Sequence, residues 1–334
     1  MGSGTWSTDT YFTRDATRRA SGQDAFSYDA DLRSRPSQQW TVADRLDPKW
    51  VNANGEKVRE SCDSDEHPTS RAIGVFFDVT GSMGGIPRVL QQKLPDLHGL
   101  TMRKGYVEHP QILFGAVGDA YTDRVPLQIG QFESDNRRDE DLESLFLEGN
   151  GGGQVHETYE LPLYYLARHT RIDCFDKRGE KGFLFTMGDE MPYDLVSRSH
   201  VADHIGDGLE ADISTRDIVA EVRRRYHYFH IVITSGHHGS DPHVQDTWRK
   251  LLGEQVLLLD NPELVCETIA LAIGLTEGVV DLSTGADHLR EAGASSRAIT
   301  SVSSALARVP KGSAVAKGAG KLPGLSDKGK NKRL

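Results

Sequence analysis

Cysteine is scarce and scattered. Cys62, Cys174 and Cys266 are odd in number and form no C-x-x-C pair, which excludes a disulfide framework and a thiolate zinc site and favours a reducing compartment. No stretch approaches the ~18 consecutive apolar residues of a membrane span. The N-terminal MGSGTWSTDTYFTRDATRR has no apolar core of the kind an export signal needs. The expected location is the cytoplasm.

Positive charge is also short in the body of the chain. Eight of the 39 Lys and Arg residues fall in residues 308–334, against the single Asp327, so the formal charge of −10 becomes −17 for residues 1–307. Such a body repels phosphate backbones, and nucleic acid is not an expected ligand. The basic tail reads as a solvated segment.

What is present suits one large α/β unit with appendages. The 334 residues correspond to roughly two domains at about 150 residues each, or to one large domain. Residues 1–70 are polar, contain Trp6, Tyr11, Phe12, Phe26, Tyr28, Trp40 and Trp50, and follow neither strand nor helix periodicity. They read as an irregular arm whose rings dock onto something, most simply the chain's own body.

From Arg71 the texture changes. AIGVFFD (72–78), QILFGAV (111–117), GFLFTM (182–187), YFHIVIT (228–234) and QVLLLD (255–260) are short apolar runs separated by helix-length segments. That alternation predicts a doubly wound, mostly parallel sheet with helices on both faces.

The expected domain spans 71–275. Its last helix begins at a cap on Asn261 with Pro262 at the first turn, and ends before Gly274. A second helix runs over Glu157–His169, starting near Thr158 so that Pro162 stays in the first turn. Ile299, Val302 and Leu306 predict one short amphipathic helix in a 276–309 extension, and residues 310–334 read as a disordered basic tail.

The segment FFDVTGSM (76–83) sets Asp78, Thr80 and Ser82 at alternate positions just past a buried strand. Oxygen ligands at the carboxyl end of a strand suit a hard divalent cation in the crevice of an open sheet. The spacing D-x-T-x-S resembles the metal-ion-dependent adhesion site of von Willebrand factor A domains, whose first element is D-x-S-x-S. That family's third element, an Asp after the fourth strand, has its counterpart in Asp189 of GFLFTMGDEMP. Its Gly-rich element has one in GNGGGQVHETYELPLYYL (149–166), where Thr158, Glu157 and Gln154 compete for the metal.

The resemblance implies a Mg²⁺ site, with Mn²⁺ or Ca²⁺ as alternatives, built from Asp78, Thr80, Ser82, Thr158 and Asp189. It implies an adaptor, not a catalyst, whose ion takes an acidic side chain of a partner protein. An AAA-type ATPase is the partner it suggests. Asp119, in GAVGDAYTD, reads as a turn carboxylate at the rim.

An alternative belongs to another function class. DVTGS is also similar to the D-K-T-G-T of P-type ATPases, and GDEMPYD to the acidic motif of haloacid dehalogenase-like phosphatases. Asp78 would then be a nucleophile, with Mg²⁺ held by Asp189 and Asp194. Thr80 stands where such phosphatases carry a second Asp, and no Lys has the required context. His237, His238, Asp241 and His243 invite a zinc reading, but adjacent histidines point apart and an exposed turn is the expectation. No G-x-S-x-G elbow supports a serine hydrolase.

Overall fold

The computed structural model describes residues 4–83, 85–149 and 155–310, with the backbone alone for Ser82 and Arg103. In chain order its main elements are α1 (Thr8–Ala20), α2 (Ser27–Arg33), β1 (Ser70–Asp78), α3 (Ile86–His98), β2 (His109–Val117), β3 (Leu127–Ile129), α4 (Arg137–Glu143) and α5 (Glu160–Arg168). They continue with β4 (Gly182–Gly188), α6 (Thr215–Arg225), β5 (Tyr226–Ile233), α7 (Pro242–Leu252), β6 (Val256–Leu259), α8 (Val265–Thr276), α9 (Leu282–Glu291) and α10 (Ser296–Leu306).

The five apolar runs form β1, β2, β4, β5 and β6, all parallel, because strands buried on both faces can be apolar at every position. Along β1, Ile73, Val75 and Phe77 enter one core while Ala72 and Phe76 enter the other. The short β3 adds an antiparallel edge, and the order is β6-β5-β4-β1-β2-β3. Helices α3, α8, α9 and α10 cover the first face. The second is covered by α5, α6 and α7, with Trp248 of α7 fully enclosed. The expected mixed α/β architecture is therefore present, and no helix among the described residues is long and apolar enough to cross a membrane.

The arm is more regular than its sequence suggested. Helix α1 buries Tyr11 alone, so it has no apolar stripe to detect. It is held instead by local and tertiary polar contacts. The Ser7 side chain caps Thr10 N, Asp15 pairs with Arg18 and Arg19 within the helix, and the Tyr11 hydroxyl donates to Gln91 O at 2.7 Å. Most of the rings dock on the chain's own body, with Trp6, Tyr11 and Phe26 joining the core of the first face, whereas Phe12 and Trp50 are exposed. Trp6 packs against His98 in a tilted arrangement with centroids 4.6 Å apart, and the Arg138 guanidinium lies 5.0 Å from its ring centroid.

Two boundaries differ at the C-terminal side. Asn261 caps as expected, but Gly274 lies inside α8, where a Cβ would meet Tyr106 at 3.1 Å. The glycine that follows the helix is Gly278, with φ +68°. The extension holds two helices, not one. Ile299, Val302 and Leu306 are buried in α10 as their spacing implied, and α9 buries Gly285 and Leu289 with Leu282 and Ala286 packed against the same core. Apart from Pro310, the expected tail lies outside the described residues.

Candidate metal centre

In an open parallel sheet the binding crevice lies beyond the carboxyl ends of the strands, where the connections switch direction. Here that point falls between β1 and β4. Asp78 is the last residue of β1, and Asp189 and Glu190 follow β4 directly. Glu157 arrives by a separate device: the two-residue strand His156–Glu157 pairs in parallel with Met191–Pro192, which draws it alongside the segment after Glu190. Oxygens of Asp78, Glu157 and Glu190 lie within 4.8 Å of one another, and all three residues are buried, about the span of two opposed calcium–oxygen bonds.

The hydrogen bonds do not satisfy this charge. Asp78 Oδ1 accepts from Thr80 N at 2.7 Å and from the Thr80 hydroxyl at 2.5 Å, and the Tyr159 hydroxyl lies 3.4 Å from Oδ2. Oε2 of Glu157 and Oε2 of Glu190 are both buried without a hydrogen-bond partner. Burial first, then the neighbouring carboxylates, push Asp78 up to about 7, Glu190 up to about 8 and Glu157 up to about 12. Orphaned carboxylate oxygens in a buried cluster are hard donors that a divalent cation would satisfy.

Backbone shape makes the cluster possible. A Cβ at Gly188 would stand 1.8 Å from the Tyr159 hydroxyl and 3.1 Å from Asp78 Cβ, so only glycine lets β4 pass this close to β1 and α5.

The predicted ligands divide. Asp78 is central, and Thr80 is buried but gives its hydroxyl to Asp78. Thr158 is drawn off: its hydroxyl donates to Gly118 O and accepts from Ala120 N at 3.2 Å, tying α5 to the loop after β2. Of the two competitors in that loop, Glu157 joins the trio, and Gln154 lies outside the described residues, as does the side chain of Ser82. Asp189 is not in the trio either. Its Oδ2 accepts from His238 N at 3.0 Å beside Gly236, although its charge still acts on Asp78.

Glu190 was not anticipated. Its signal was its position beside Asp189, since successive residues leaving a strand point to opposite sides. Asp119 closes a turn as expected, accepting from Tyr121 N at 3.0 Å and from the Tyr193 hydroxyl at 3.1 Å. Asp194 is exposed. Asp241 caps α7 by accepting from His243 N, and the histidines beside it form no ligand group among the described residues.

The arm braces two loops of this site. Asp29 of α2 accepts from Leu147 N at 3.0 Å while Arg33 donates to the carbonyls of Leu147 and Glu148, just ahead of the Gly-rich segment. Asp24 pairs with Arg88 of α3 at 3.1 Å, beyond the Asp78 loop. Asp29→Ala is expected to speed amide hydrogen exchange at Leu147 at least about ten-fold, the equivalent of one hydrogen bond to a charged group. Mass-spectrometric exchange of the peptide covering 140–149 measures it, and an unchanged rate would show that α2 does not hold the loop.

No family model matches the chain, and no curated protein does. Among solved structures it is similar to the pilus adhesin SpaC from Lactobacillus rhamnosus GG in its open conformation, with 9% identity and a TM-score of 0.41 over 62% of this chain and 30% of that one. A second form of SpaC gives 11% identity and a TM-score of 0.43 over 62% of this chain and 31% of that one. Proximal thread matrix protein 1 from the mussel byssus gives 11% identity and a TM-score of 0.39 over 64% and 48%. The chain spans less than half the length of each of these structures.

Proposed function

We propose that this chain is a divalent-cation-dependent protein-binding module of the von Willebrand factor A type. Asp78, Glu157 and Glu190 hold the ion, and the ion takes an acidic side chain of a partner. One observation carries the reading: buried oxygens of Glu157 and Glu190 have no hydrogen-bond partner, and both residues converge with Asp78 where the strand order switches.

A bound divalent cation would offset two of the trio's charges and offer an open coordination position to a partner carboxylate. Mg²⁺, Mn²⁺ and Ca²⁺ all suit such oxygen donors. Against phosphoryl transfer, Asp194, which that chemistry would need beside Asp189, is exposed and apart from the trio.

Capture on the immobilised full chain tests the proposal. Partners are expected to be retained in Mg²⁺, released by EDTA and lost with Asp78→Asn. Mg²⁺-dependent release of phosphate from p-nitrophenyl phosphate, abolished by the same substitution, would overturn it in favour of the enzyme.

A further inference from the structure

The segments that bring the carboxylates together also carry a group of rings on the rim. Tyr121 lies in the turn closed by Asp119, Tyr193 follows Glu190 by three residues, and His156 precedes Glu157. Ring centroids are 4.7 Å apart for Tyr121 and Tyr193, 5.1 Å for His156 and Tyr193, and 4.5 Å for Tyr121 and His200. Tyr193 is held in place by its hydroxyl on Asp119, while Tyr121 remains 58% exposed. An exposed tyrosine held against an ordered group of rings, tilted on Tyr193 and edge-on to His200, is a ready contact surface.

Acidic side chains surround these rings: Asp119 and Asp212 act on both Tyr121 and His200, Asp203 acts on His200, and Asp119 acts on Tyr193. Arg198, two residues before His200, directs its guanidinium to the Glu210 carbonyl at 3.1 Å.

Elsewhere the chain covers its rings with its own arginines. Seven do so, among them Arg33 over Phe146 and Arg138 over Trp6, yet among the described residues none lies over Tyr121 or Tyr193. Faces of aromatic rings attract cations, and a guanidinium stacks on them better than an ammonium while offering N–H groups to flanking carboxylates.

We infer that the Tyr121–Tyr193 platform is an arginine-binding site. The partner places a guanidinium on these rings, with Asp119 and Asp212 supplying the opposing charge. The assignment deepens the partner-binding reading and rests on it for the identity of the ligand as a protein, whereas the arginine site itself needs no ion.

A fluorescent peptide of alternating Gly and Arg tests it on the full chain, beside Lys and Glu counterparts of equal length, in EDTA and in Mg²⁺. The Arg peptide is expected to bind in EDTA, and more tightly than the Lys peptide. Tyr121→Ala should weaken it about five-fold and Tyr121→Phe should leave it unchanged, as a contact with the ring face requires.

Equal binding to the wild type and Tyr121→Ala, equal affinity for Arg and Lys, or no binding would overturn the site. A peptide carrying both Arg and Glu is expected to gain affinity on adding Mg²⁺. If it gains none while the Arg peptide still depends on Tyr121, the ion-held carboxylate is refuted and the arginine site is not.

Discussion

Asp78→Asn is expected to abolish divalent-cation binding while leaving the fold intact. Asn is isosteric, and its carbonyl oxygen can keep both hydrogen bonds that Asp78 Oδ1 accepts from Thr80. What it cannot keep is the charge at the centre of the trio. Losing an outer-shell partner of a metal ligand typically costs ten- to a hundred-fold in affinity, so losing a direct ligand should cost at least about a hundred-fold. Titration calorimetry with Mg²⁺, Mn²⁺ and Ca²⁺ reads this directly.

A second readout separates lost function from lost structure. Without a cation, Asp78 is a buried carboxylate disfavoured by desolvation and by the Asp189 charge. Its replacement by a neutral side chain should therefore keep or raise the melting temperature in EDTA, while removing the further rise that a cation produces in the wild type. Undiminished affinity in the variant would remove Asp78 from the site.

The cation-free protein is expected to lose stability as the pH rises from about 4 to 8, and a saturating divalent cation should flatten that slope. Asp78 and Glu190 are pushed up to about 7 and about 8 in the fold, against values near 4 in the unfolded chain. The folded state therefore binds protons that the unfolded state has released. The resulting stability is fully present below the unfolded values and is lost as the pH passes through the folded ones. Glu157, pushed up to about 12, keeps its proton throughout this window.

A cation substitutes for the protons, so its affinity should weaken as the pH falls below about 7. Buried Asp123 and Asp141, each pushed up to about 7, contribute a slope of the same sign in both conditions. The trio is therefore read as the difference between urea denaturation series in EDTA and in cation. Parallel series would show that no ion replaces the protons.

The strands were legible because burial on both faces of a parallel sheet demands apolar residues at every position, and QILFGAV or GFLFTM leave little else to become. Where burial is slight the signal disappears. Helix α1 encloses only Tyr11, and its stability comes from a cap, ion pairs and docking that no periodicity reports. The end of α8 was misplaced for a related reason. Gly274 is there to admit Tyr106, and a glycine that serves packing looks in sequence like a glycine that ends a helix.

At the site, sequence alone determined the address. An Asp closing a buried strand, followed by a Thr and glycines, placed oxygen donors at the carboxyl edge of the sheet, and Asp78 is where the cluster forms. Which carboxylates join it was decided only by tertiary structure. Asp189 and Glu190 are neighbours that leave β4 toward opposite sides, one meeting the amide of His238 and the other facing Asp78. Glu157 displaces Thr158 because a two-residue pairing with Met191–Pro192 turns it inward while the Thr158 hydroxyl is taken by Gly118 and Ala120. Local sequence sets which chemical groups reach a strand end. Their direction depends on hydrogen bonds to segments many residues away, which no local pattern encodes.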